Sequence, residues 1–227
     1  MQRLTAAINI RIKYVIKKIL LTNEYRSSAQ IGGGAWLDSI EDWPTDAKSG
    51  LPMLPLLTLF ADFFPGKQLS EDQCITVFIP QTEKDYSRTY CRNISCNLAD
   101  QTQDYNTRVI VHKKSKAEHS PLDINLLPKG YVDLIEMDDD ELDEEIEDEI
   151  SGSSLSKQFG RPHWLQDPIN IPPQYFFGLQ LNEADLLNFG DRYAGMFDDG
   201  MGYLFIDYRV KKASSTADAG LFFIQFL

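Results

Sequence analysis

Glycine and proline cut this chain into short apolar runs, which limits it to short secondary-structure elements. Between residues 31 and 55, Gly32, Gly33, Gly34, Gly50, Pro52 and Pro55 leave no room for a long helix, with Trp36 and Trp43-Pro44 set among them. Pro121 and Pro128 interrupt residues 113 to 130, and from Phe159 the chain is again aromatic and turn-rich. The runs between these breaks read as strands. Ile75 to Ile79 alternates and is rich in β-branched residues, and Arg108 to His112, Tyr175 to Leu181, Tyr203 to Val210 and Leu221 to Leu227 follow the same logic. Leu56 to Phe64 is apolar enough to enter the core. Ala184 to Asn188 fits a helical turn, and Asp198-Asp199-Gly200 fits a tight turn because Asp-Gly tolerates positive φ.

One stretch has helical spacing. Leu4, Ile8, Ile12, Val15, Ile16, Ile19 and Leu20 share one face and predict a helix over residues 4 to 21 docked on the core. Basic residues at Arg3, Arg11, Lys13, Lys17 and Lys18 interrupt any signal-peptide core there, and no apolar run approaches the roughly 20 residues of a membrane span. A cytoplasmic location is the expectation. Three cysteines, Cys74, Cys91 and Cys96, are too few for a disulfide framework and read as reduced thiols.

At 227 residues and 43% hydrophobic content the chain can bury a real core. Its net charge of -12 is not spread evenly. Asp133 to Glu149 holds 12 acidic residues and no basic one, which leaves the rest of the chain balanced. A nucleic-acid surface needs clustered Lys and Arg, so the pattern points to a basic protein partner, with neither nucleic acid nor a membrane among the expected partners. Leu134, Ile135, Leu142, Ile146 and Ile150 recur within the run at near-helical spacing. They predict a helix that docks by its apolar stripe and turns carboxylates outward, set against the plainer reading of a solvated acidic linker. The candidate partner-binding residues are Asp138, Asp139, Asp140, Glu141, Asp143, Glu144, Glu145, Glu147, Asp148 and Glu149.

Material for catalysis is thin. Cys91, Cys96, His112 and His119 are spaced more widely than zinc-finger ligands, and the aspartates from Asp138 lack the central glycine of a calcium loop. Neither a metal nor a cofactor is expected. His163 has no nucleophile motif around it, and Gly32-Gly33-Gly34 lacks the Lys-Ser/Thr of a phosphate loop. No catalytic residues are assigned, and an enzyme of unknown type is the weakest reading.

An echo runs through the chain. Gly33-Gly34-Ala35-Trp36-Leu37 is matched by Phe159-Gly160-Arg161-Pro162-His163-Trp164-Leu165, each followed by a proline-containing loop and an apolar stretch. Residues 28–80 and 156–227 then read as two related halves of one domain spanning 1–227, with 81–155 as a polar and acidic insert. The same residues, with Trp43-Pro44, Phe177-Gly178-Leu179-Gln180-Leu181, Met196 to Phe205 and Phe222-Phe223-Ile224-Gln225, resemble the YwqG-like domain family. The resemblance implies an α+β fold of mainly antiparallel strands in two related halves, here with the N-terminal helix and the acidic helical or linker segment added. Members of that family are encoded beside bacterial polymorphic toxins as candidate immunity proteins. The resemblance therefore implies a non-catalytic protein that binds and blocks a cognate toxin, possibly a nuclease. The alternative is an acidic chaperone-like or assembly module for a basic client. Fold analogy alone does not fix function.

Overall fold

The computed structural model describes residues 15–81, 106–213 and 216–227. Among them, eleven strands form one antiparallel sheet. In chain order these are β1 (Lys17–Thr22), β2 (Ala29–Ile31), β3 (Leu54–Phe60), β4 (Gln73–Ile79), β5 (Arg108–Lys113), β6 (Gly130–Glu136), β7 (Lys157–Gln158), β8 (Tyr175–Asn182), β9 (Met201–Asp207), β10 (Ala217–Asp218) and β11 (Gly220–Gln225). Two short α-helices accompany them, α1 (Asp139–Glu147) between β6 and β7 and α2 (Glu183–Leu186) directly after β8. No helix among the described residues is long and apolar enough to cross a membrane.

The spatial order is β10-β5-β4-β3-β2-β6-β1-β7-β8-β9-β11. The central pair is β1 and β6, with Leu20 opposite Asp133. Outward from it, β2-β3-β4-β5 extends on one side and β7-β8-β9-β11 on the other. Both β3 and β8 carry an irregularity, between Pro55 and Leu57 and between Phe177 and Leu179. Ala219 draws the two ends together. Its N–H donates to Val109 O of β5 and its carbonyl accepts from Asp207 N–H of β9, both at 2.8 Å. The sheet curls into a nearly closed barrel, which removes most of its free edge.

The largest apolar cluster fills the interior, with Ile31, Leu57, Val77, Val111, Leu179 and Phe222 among its residues. Two further clusters cover outer faces. Ala35, Leu37, Trp43 and Met53 pack on Phe78 and Ile110, while Trp164, Leu165 and Ile169 pack against Tyr203, Phe205 and Phe223. Strands β4 and β9 are therefore buried on both faces, which explains their near-continuous apolar runs.

This architecture corrects the α+β expectation. The protein is a β-sheet structure with two short helices among its described residues. The helix predicted over 4–21 is overturned where it is described, because Lys17–Thr22 is a strand; residues 4–14 lie outside the described residues. Pairing on both flanks, with β6 and β7, overrides the helical spacing of single residues. Only Ile19 of that strand is fully buried. The stretch 81–155 contributes β5 and β6 to the sheet as well as α1.

Candidate functional site

The acidic run splits into two elements. Leu134 and Ile135 belong to β6, where both are half-buried, and the helix begins only after Asp138. Asp138 caps it: its carboxylate accepts from Glu141 N–H at 2.9 Å while Glu141 Oε2 accepts from Asp138 N–H at 3.1 Å. Asp139, Asp140 and Glu141 in the first turn suit the positive end of the helix dipole. At the other end Asp148 accepts from the N–H groups of Ile150 (2.6 Å) and Ser151 (3.0 Å), which holds its carboxyl below the usual aspartate range.

The helix docks through charge. Glu141 pairs with Lys18 of β1, and this hydrogen bond raises the lysine pKa against the opposing effect of burial. One turn later Glu145 (1% exposed) meets Lys157 of β7 (0% exposed) in a buried ion pair. Glu145 Oε2 also accepts from Ser153 N–H at 2.8 Å and Ser153 Oγ at 3.1 Å, and its Oε1 accepts from Arg161 N–H at 2.8 Å. Lys157 Nζ donates in addition to Ser153 O at 2.9 Å. Burial pushes the Lys157 pKa down, with Glu145 opposing. Glu144 Oε1 accepts from Ser154 N–H at 3.2 Å.

The backbone makes room for this carboxylate. Phe159 and Gly160 both take positive φ (61° and 79°), which aims Arg161 N–H at Glu145. The same construction recurs at Gly32 and Gly33 (58° and 71°), where Gly34 N–H donates to Glu118, itself paired with Lys129. Gly32 N–H donates to Leu56 O and Phe159 N–H donates to Gly178 O, each at the strand irregularity. These paired turns place His163, not Trp164, where Trp36 stands in the first.

The expected orientation of α1 is reversed. Leu142, Ile146 and Ile150, predicted to dock, are 38%, 65% and 63% exposed. The reason is Lys157, whose fully buried ammonium needs a counter-charge, so the Glu141–Glu145 face turns inward. Of the ten candidate residues, the structure thus withdraws Glu145 into the interior and engages Glu141 with Lys18. Asp138, Asp139, Asp140, Asp143, Glu144, Glu147, Asp148 and Glu149 remain exposed. Across the whole acidic run, Asp133, Glu136, Glu141 and Glu145 make ion pairs, with Arg26, Lys17, Lys18 and Lys157. The other eight acids make none among the described residues. No sequence pattern marked Lys157 or Arg161 as the helix's anchor, because both act across chain gaps that only the sheet closes.

His112 and Cys74 are tied into the scaffold. His112 of β5 is buried, hydrogen-bonded to Thr76 Oγ1 at 2.8 Å, and burial lowers its pKa. Cys74 lies 3.4 Å from the same imidazole, and burial pushes its thiol up to about 12. His119 is exposed and bridges to Ala35 by its backbone. His163 Nδ1 lies 2.9 Å from Gly152 O. Among the described residues no group of three or more His, Cys, Asp or Glu could hold a metal ion; Cys91 and Cys96 lie outside them. Among the described residues the exposed aromatics, which composition could not locate, are Tyr25 and Tyr208.

No family model matches the chain, and no curated protein matches it.

Proposed function

We propose that this chain is a non-catalytic protein-binding protein that captures a basic partner through α1. The form favoured by the YwqG-like resemblance is an immunity protein that covers a cognate toxin. The observation that carries the reading is the division of labour on one helix. Glu141 and Glu145 anchor it to the barrel, and Asp139, Asp140, Asp143, Glu147 and Glu149 stand exposed on the rest of it and just beyond its end. A fixed base under exposed carboxylates supplies a fixed negative field, which steers a cationic surface and orders it on arrival. The mechanism is steric and electrostatic, with no turnover.

Co-purification with the product of the neighbouring gene tests it. Neutralising those five acids to Asn and Gln should release the partner at physiological salt while leaving the folding midpoint nearly unchanged. Retention of the partner at unchanged affinity would exclude α1 as the capture surface. A toxin recovered in the complex favours the immunity form, and a housekeeping basic protein favours the chaperone-like alternative.

A further inference from the structure

We propose that the ridge of Leu142, Ile146 and Ile150 is a docking site for a basic amphipathic helix of the partner, its apolar residues seated on the ridge and its Lys and Arg against the flanking acids. This rests on the reading of α1 as a protein-binding surface and specifies what that surface recognises. Leu142 and Ile146 are one turn apart, and each follows an inward glutamate by one residue, so they stand about a quarter-turn from the docked face. Ile150 lies three residues past the helix end and is exposed, with its N–H held by Asp148. Helical spacing sets Asp139 and Asp143 along one side of Leu142 and Ile146 and the docked Glu141 and Glu145 along the other, while Glu149 follows the helix end.

Charge decides the occupant. A second copy of this chain would bring Asp139, Asp143 and Glu147 against their own equivalents, and an anionic lipid surface would meet the same repulsion. A helix with apolar residues at i, i+3/i+4 and i+7, flanked by Lys and Arg, satisfies both the ridge and its borders. The long basic side chains can lie along the apolar ridge while their heads reach the carboxylates.

The test uses the full chain and two synthetic peptides of about 18 residues, long enough to sustain a helix. One carries leucines on a single helical face among lysines. The other has the same composition with the leucines scattered round the helix. Titration calorimetry should find the patterned peptide at least tenfold tighter. Leu142→Ser with Ile146→Ser should abolish that preference without changing the salt dependence, because both side chains are solvent-exposed in the free protein. Equal binding of the two peptides overturns the ridge as a recognition element yet leaves the electrostatic reading standing. Binding of neither removes both. Self-association of the chain that Ile146→Ser relieves would make the occupant a second copy and overturn the proposal.

Discussion

Glu145 of α1 and Lys157 of β7 form an ion pair closed off from solvent, and the orientation of the acidic helix follows from it. The carboxylate takes donors from Ser153 and Arg161 as well as the ammonium, so its charge is the more fully compensated of the two. Removing one partner of such a pair typically costs about 3–5 kcal/mol. Glu145→Ala, which strands Lys157 and orphans the Ser153 and Arg161 donors, should fall in that range by urea denaturation. Lys157→Met leaves Glu145 its backbone donors and should cost less. The reverse ranking would show that the ammonium, not the carboxylate, organises the joint.

The turn that receives Glu145 gives a second prediction. Gly160 has φ +79°, and a Cβ there would run into the Glu145 carboxylate. Gly50 has a similar φ of +72°, but a Cβ added there would meet nothing within 4 Å. Gly50→Ala should therefore cost only the left-handed backbone penalty, about 1–2 kcal/mol. Gly160→Ala should cost more, because it also displaces the buried carboxylate. Equal losses of thermal stability would mean that Glu145 can shift freely.

Strands with β-branched, alternating or aromatic runs were legible in the sequence. Ile75 to Ile79, Arg108 to His112 and Tyr175 to Leu181 fall within β4, β5 and β8. Their burial is a property of their own residues. Strands β1, β6 and β7 were not legible, because what makes them strands is pairing with distant partners: Lys17 with Glu136, Lys18 with Lys157 across the backbone. Lys17 is matched by Glu136 across the sheet, and Lys18 and Lys157 by the glutamates of α1, which single-chain periodicity cannot register. A helix inside the acidic run was one of two readings that the spacing of Leu142, Ile146 and Ile150 left open beside a solvated linker, and Ile150 lies beyond its end. Its orientation was not, since a buried lysine ten residues past the helix decides it.

Stability against pH isolates a third group. Burial raises the pKa of Glu183, with the Asp199 charge adding to it, against the backbone N–H groups of Asp199, Phe197 and Met196. The folded state then holds a proton over the range just above the ordinary value of 4.5 in which the unfolded chain has lost it. Stability must fall as pH rises through that range and be regained on acidification toward 4.5. In Glu183→Gln this contribution vanishes. Urea midpoints of the two proteins between about pH 4.5 and 7 should converge at the acid end and separate toward neutrality, the wild type becoming relatively weaker. A constant difference across the range would show that Glu183 titrates alike folded and unfolded.

The central claim is that the fold holds outward-facing carboxylates on α1 for a cationic surface to meet. The association rate of the co-purifying basic partner, followed by stopped flow across ionic strength, tests it most directly. The wild type should associate fast at low salt and slow steeply as salt rises, while the variant lacking the five exposed acids should start slow and change little. Identical, salt-independent rates for both proteins would contradict it.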